Sequence, residues 1–132
     1  MNLSVCIITK NEALKLKKCL ASLKRYDVEI VVVDTGSTDE TLQIIEEYAD
    51  IKGNYKWNDN FAEARNCSIT LANNEWILVL DSDEWIESAD MNLINSILLQ
   101  SDSNIVGRIE RINDINLSGE NVKGLSLIHI SE

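Results

Sequence analysis

The sequence predicts an α/β fold with a mostly parallel sheet covered on both faces. Two observations predict it. Short apolar runs alternate along the chain with segments whose apolar residues recur at helical spacing. The strongest runs, LSVCIIT, VEIVVVD and WILVL, are continuously hydrophobic instead of alternating, as expected of strands buried on both faces.

The elements follow in order. Leu3–Thr9 reads as a buried strand that stops at Lys10-Asn11-Glu12. Ala13, Leu16, Leu20 and Leu23 then mark one face of an amphipathic helix. Val28–Asp34 is a second strand, too apolar for an edge open to water. Thr35-Gly36-Ser37 is a turn in which Gly36 supplies positive φ, and Ser37 with Glu40 predicts a capping box. Leu42, Ile45 and Ala49 carry the second helix. Ile51–Trp57 is a weaker strand. Asn60 with Glu63 opens a third helix, with Phe61, Ala64, Ser68 and Leu71 along one face. Trp76–Leu80 is the next strand, ending in Asp81-Ser82-Asp83-Glu84. A helix over about 90–99 and a strand near 104–113 complete the expected order.

Composition narrows the function classes. The chain has 132 residues, room for one core and not two. Twelve Lys and Arg face 22 Asp and Glu, a net charge of −10, which disfavours nucleic acid and anionic lipid as partners. No apolar run approaches the roughly 20 residues that span a bilayer, and no signal peptide is evident at the N-terminus. Cys6, Cys19 and Cys67 lie in apolar patterns without CxxC spacing, and read as reduced thiols of a cytoplasmic protein. His129 is the only histidine, so His-dependent triads and metal sites have little to stand on. Neither GxGxxG nor GxxxxGK[ST] occurs.

In a parallel sheet, ligands sit beyond the carboxyl ends of the strands. Those ends are Thr9-Lys10-Asn11-Glu12, Asp34-Thr35-Gly36-Ser37 and Asp81-Ser82-Asp83-Glu84. Converging carboxylates repel, and a divalent cation holds them ionised. Asp-x-Asp is hard oxygen chemistry suited to Mg²⁺ or Mn²⁺. The same residues also serve as a solvated turn, and Asp39 and Glu40 are better explained as first-turn partners of a helix dipole. Arg65, within the third helix, offers a bidentate donor to a base or diphosphate; most helix arginines are simply solvated.

Taken together, SVCIITKNE, VVVDTGSTDET, FAEARN and WILVLDSDE, in this order, resemble the N-terminal half of family 2 glycosyltransferases of the GT-A fold, a Rossmann-like three-layer architecture. The likeness covers about residues 2–112. It implies inverting transfer of a sugar from a nucleotide-diphosphate donor, usually UDP, to an acceptor hydroxyl. The acceptor would be a saccharide, a lipid-linked sugar or a peptide, in cell-envelope or other glycan biosynthesis. It further implies that Thr9, Asn11 and Glu12 line the nucleotide pocket and that Asp34 accepts a hydrogen bond from uracil. Arg65 would lie beside the base and diphosphate, Asp81 near the ribose with Ser82, and Asp83 on the Mn²⁺ or Mg²⁺, with Asp81 beside it. Serine at 82 replaces the commoner alanine. The general base is expected downstream, in an acceptor half that this chain lacks. Asp114 and Glu120 sit in no family motif, so the chain alone is expected to be inactive.

Other classes fit less well. A haloacid-dehalogenase-type phosphatase carries DxDx[TV] on an early strand, whereas Trp85 follows a late DxD here. A nucleotidyltransferase carries a glycine-rich basic loop after strand one, and a non-catalytic receiver-like module an acidic pair there. Thr9-Lys10-Asn11-Glu12 is neither. Finally, Leu125–Glu132, LSLIHISE, resembles one reading frame of a transposon end used in building sequencing libraries. The expected organisation is therefore an incomplete nucleotide-sugar-binding domain over 1–124 and a non-native tail over 125–132. The alternative is a genuine short apolar strand.

Overall fold

The computed structural model describes residues 3–89, 92 and 128–131. The chain runs β1 (Leu3–Thr9), α1 (Ala13–Leu23), β2 (Glu29–Asp34), α2 (Thr41–Tyr48), β3 (Ile51–Asn54), α3 (Phe61–Leu71), β4 (Trp76–Val79), β5 (Trp85–Ala89) and β6 (Ile128–Ser131). The expected helix at 90–99 and strand at 104–113 lie outside the described residues, as do Asp114 and Glu120. Among the described residues, no helix is long and apolar enough to cross a membrane.

β1 to β4 form one sheet in the order β3-β2-β1-β4, and every pairing in it is parallel. β1 and β2 are its interior strands, which explains why their sequences are apolar on both faces. Alternation along β1 sends Leu3, Val5 and Ile7 to one side, where they meet Leu16, Cys19, Leu20 and Leu23 of α1 and Ile45 of α2 in a single buried cluster. Cys6 points to the other side, and its thiol reaches the carbonyl of Ser68 on α3 at 3.6 Å. Helices thus cover both faces. Burial pushes the thiols up, Cys6 to about 11 and Cys19 to about 12, so both are protonated packing groups.

The α1 face is the one that the spacing predicts. α2 differs: Thr41 and Ile45 are buried, while Leu42 faces outward. The capping box does not form. Ser37 Oγ turns back to Asp34, and Asp39 Oδ1 instead accepts from the Thr41 N–H at 3.0 Å where α2 begins. β3 ends at Asn54, short of Trp57, and the Tyr55 N–H donates the last bond of its parallel ladder to the carbonyl of Asp34 at 2.9 Å. α3 is capped as expected, with Asn60 Oδ1 accepting from Glu63 N–H at 3.1 Å, but Phe61 lies outside its buried face.

β5 pairs antiparallel with β6, Trp85 opposite Ser131 and Ala89 opposite Ile128. The sequence reading sets residues 128–131 in a non-native tail. Backbone pairing is open to any short apolar segment, so the pairing bears on packing and not on origin.

Glu29 fastens the far end of the sheet. Its Oε1 accepts from Ser4 Oγ at 2.9 Å and Asn73 N–H at 2.8 Å, and its Oε2 from Asn73 Nδ2 at 3.0 Å. Burial opposes its charge, but the hydrogen bonds from Asn73 and Ser4 outweigh burial and hold the carboxyl below the usual glutamate range. A depressed folded-state pKa stabilises the fold above the unfolded value, about 4.3, and the contribution fades as pH falls through the lowered one. Glu29→Gln is expected to flatten the acid limb of the Tm-versus-pH curve below about pH 4.3, while leaving its slope near neutrality unchanged. An unaltered acid limb would show that these hydrogen bonds do not favour the charged form.

Candidate functional site

The chain changes direction across the sheet at β1. From β1 it steps outward through β2 to β3, then returns by α3 to β4 on the other flank of β1. The carboxyl ends of β1 and β4 therefore border the switch point where such sheets bind ligands. All three polar loops singled out in the sequence fall on this rim.

The loops after β1 and β2 brace each other. Thr9 and Asp34 are register partners, and Thr35 donates both N–H and Oγ1 to the Thr9 carbonyl at 3.0 and 3.1 Å. Asn11 takes φ +49°, a left-handed position that Asn tolerates better than most residues. That turn lets its N–H reach Ser37 Oγ at 2.9 Å and its Oδ1 accept from Thr38 N–H at 2.8 Å. Glu12 N–H donates to Thr41 Oγ1 at 3.2 Å. Asp34 is 5% exposed, and its carboxylate is wrapped by its own turn. Gly36 and Ser37 N–H donate to Oδ2 at 3.0 and 2.9 Å, and Ser37 Oγ donates to Oδ1. Gly36 at φ +118° makes that wrap feasible.

A cleft of about 190 Å³ opens over these strand ends. Ile8, Thr9, Lys10, Glu12, Thr35, Trp57 and Phe61 line it. Thr9 and Glu12 line this cleft, whereas Asn11 Oδ1 accepts from the neighbouring loop. Thr9 Oγ1 is buried with no hydrogen-bond partner.

Beyond β4 lies the acidic loop. Leu80 N–H donates to the Cys6 carbonyl at 3.1 Å, and Glu84 N–H closes a turn onto the Asp81 carbonyl at 3.0 Å. Past the turn, α1 grips β5: Ser22 Oγ accepts from Ile86 N–H at 3.0 Å, and Arg25 Nη2 donates to the Ile86 carbonyl at 2.7 Å. The loop is held at both ends. Glu84 is buried, and its Oε1 accepts from Asp81 N–H at 2.9 Å. Ser82 is also buried, while Asp83 is exposed. One carboxylate oxygen each from Asp81, Asp83 and Glu84 lies within 4.8 Å of the others. Arg65 Nη2 donates to Asp81 Oδ1 at 3.0 Å, an ion pair with side chains 40% and 35% exposed.

The donor set suits a hard divalent cation. It is all oxygen, and its exposed member, Asp83, leaves room for water or phosphate oxygens to complete the shell. Sequence reasoning missed Glu84 as a member of this cluster, since a buried Glu and a solvated one look alike in sequence. It also missed Trp57 as a wall of the cleft.

Comparisons place this geometry among known proteins. The model of glycosyl transferase family 2 matches residues 4–127. The chain is similar to the SPbeta prophage-derived glycosyltransferase SunS of Bacillus subtilis, 44% identical over 79 residues, which cover 58% of this chain and 19% of the relative. It is similar to the lipopolysaccharide core biosynthesis glycosyltransferase LpsC of Rhizobium meliloti, 34% identical over 113 residues, 83% of this chain and 42% of the relative. It therefore spans less than half the length of either. Among solved structures, S. aureus TarS 1-349 in complex with UDP-GlcNAc superposes with a TM-score of 0.67 at 30% identity, covering 76% of this chain and 32% of that one.

Proposed function

The chain belongs to glycosyl transferase family 2, and from that premise we propose that its described rim binds a UDP-sugar together with Mn²⁺ or Mg²⁺ for inverting transfer to an acceptor hydroxyl. The observation that carries the reading is the Arg65–Asp81 pair, 3.0 Å apart, in a loop that also presents exposed Asp83. A guanidinium beside carboxylates is an arrangement for a diphosphate that arrives with its own cation. Without the cation, an anionic diphosphate meets Asp81, Asp83 and Glu84 in a chain of net charge −10 and is repelled.

In this reading Thr9 and Glu12 line the nucleotide cleft, Asn11 braces its loop, and Asp34 accepts from the base. Arg65 bridges base and diphosphate, Asp81 and Ser82 lie by the ribose, and Asp83 holds the metal. The TarS complex with UDP-GlcNAc supports the choice of uridine. A cation at Asp83 supplies charge neutralisation on the departing diphosphate. Inversion needs a base at the acceptor hydroxyl, a role this reading gives to none of the described carboxylates. The acceptor is a saccharide, lipid-linked sugar or peptide of a glycan-building route. The domain works in the cytoplasm, a reducing compartment that suits its three free thiols.

Calorimetric titration with UDP tests the reading. UDP is expected to bind roughly 10-fold or more tightly with Mn²⁺ than with a chelator, since outer partners of a metal alone are worth about 10- to 100-fold in metal affinity. Equal affinities under the two conditions would overturn the metal assignment.

A further inference from the structure

The net charge of −10 is not spread evenly over the molecule. Residues 13–25, which are α1 and the two residues after it, hold five of the twelve Lys and Arg and no acid, so the rest of the chain carries −15. Ala13, Leu16, Cys19, Leu20 and Leu23 bury the inward face of the helix. Lys15, Lys17, Lys18, Lys24 and Arg25 are all exposed, and Leu14 stands among them at 86% exposure. Lys18 lies over the Trp85 ring at 3.5 Å and Arg25 donates to the Ile86 carbonyl, so the helix is fastened to β5. Three features of its outward face are unfavourable in water. Lys15 lies in the first turn, where the helix dipole favours an acid and none occurs. Lys15 and Lys18 are three residues apart on one helix surface, and like charges at that spacing repel. Leu14 leaves a large apolar side chain in solvent. A negatively charged surface with an apolar phase behind it relieves all three.

We infer that the outward face of α1 is a docking surface for an anionic lipid bilayer, with its cations among the headgroups and Leu14 at the acyl boundary. Interfacial helices divide their faces in this way. Each Lys or Arg near an anionic leaflet adds attraction, which is felt within a Debye length, about 8 Å at physiological salt. The helix is itself about 10 Å thick, so the sheet and the α3 side of the molecule lie beyond that range. A net charge of −10 therefore does not forbid the contact. α2 lies beside α1, joined to it where Thr41 Oγ1 accepts from Glu12 N–H at 3.2 Å, and its exposed Glu46 and Glu47 confine the contact to α1. Leu14 favours a bilayer over a phosphate polymer such as RNA, which has no apolar phase to receive it. α1 starts on the rim, directly after Glu12, so docking through it holds the cleft at the leaflet, within reach of a lipid-linked acceptor. That consequence rests on the donor-binding reading above; the docking itself does not.

The test sediments the 132-residue chain with vesicles of pure phosphatidylcholine and with vesicles of phosphatidylcholine mixed with phosphatidylglycerol. Binding is expected to the mixed vesicles alone, and to weaken as salt rises. Lys15→Ala, Lys17→Ala and Lys24→Ala are each expected to weaken partitioning roughly 5-fold, and the triple variant about 100-fold. Leu14→Ala is expected to weaken it roughly 5-fold at low and at physiological salt alike. All four positions are exposed and Ala is the best helix former, so thermal melts by circular dichroism are expected to match wild type. Equal sedimentation with the two kinds of vesicle, or with neither, would overturn the inference, as would full binding by the triple variant. So would a duplex RNA that binds as tightly as the mixed vesicles, with Leu14→Ala making no difference to either; the partner would then be a phosphate polymer. None of these outcomes reads UDP affinity, so failure here leaves the donor-binding reading standing.

Discussion

Asp83→Ala is expected to bring UDP affinity in Mn²⁺ down to the value measured with a chelator, a loss of roughly 10-fold or more. Asp83 is the clean place to ask. It is exposed and sits on a turn held from both ends by β1 and α1, so its truncation leaves the packing alone. Surface changes of that kind usually stay within about 0.5 kcal/mol of wild type, so the melting curve is expected to be nearly unchanged. Asp81 gives a mixed answer, because removing it also strips Arg65 of its partner at 3.0 Å and of the charge that orients the guanidinium. Glu84 is worse still, being buried and bonded to the Asp81 N–H. If the Asp83 variant keeps its Mn²⁺ dependence in calorimetry, the acidic loop does not hold the cation.

The sheet was legible because its interior strands must be apolar on both faces, and that leaves continuous runs such as LSVCIIT and EIVVVD. α1 was legible for a related reason, since its periodic residues Ala13, Leu16, Leu20 and Leu23 are all buried. What failed was competition among acceptors. Ser37 and Glu40 have the spacing of a capping box, but Asp34 Oδ2 accepts the Ser37 N–H that the Glu40 carboxylate would take, Ser37 Oγ accepts from Asn11 N–H, and Asp39 takes over at Thr41. β3 ends where its partner β2 ends, at the Asp34–Asn54 pair. β5 escaped notice because WIESA carries a charge and pairs with β6, some forty residues along the chain. The site was half legible. DSDE announces oxygen ligands, yet nothing in the sequence says that Glu84 is buried beneath Asp81, or that Arg65 meets a carboxylate 16 residues away. Phe61 sits at helical spacing from Ala64 and Ser68, but it precedes the turn of α3 that touches the sheet, and so it stays in the open.

Asp34 has two separable duties, and a pair of substitutions divides them. The first is structural. Its carboxylate accepts from Gly36 N–H, Ser37 N–H and Ser37 Oγ, and that Ser37 hydroxyl in turn accepts from Asn11 N–H at 2.9 Å. Asp34→Ala removes the acceptor at the root of this chain and loosens both loops beneath the cleft. Hydrogen bonds to a charged group are worth about 1.5–3 kcal/mol each, and solvent reclaims the exposed Gly36 amide, so a loss of roughly 2–4 kcal/mol is expected in denaturant titration. Asp34→Asn behaves differently. One amide oxygen still accepts from both N–H groups, and the new NH₂ donates to Ser37 Oγ, whose lone pairs serve it and Asn11 together. The turn then survives, with a loss under about 1.5 kcal/mol. The second duty, in the proposed reading, is to accept a hydrogen bond from the base. An oxygen acceptor replaced by a donor cannot do that, and sites built to pair a polar group reject its mismatch strongly. Asp34→Asn is therefore expected to weaken UDP roughly 10-fold or more while leaving Mn²⁺–pyrophosphate binding at the wild-type level. Wild-type UDP affinity in a folded Asp34→Asn chain would restrict Asp34 to the turn and leave base recognition to the walls of the cleft.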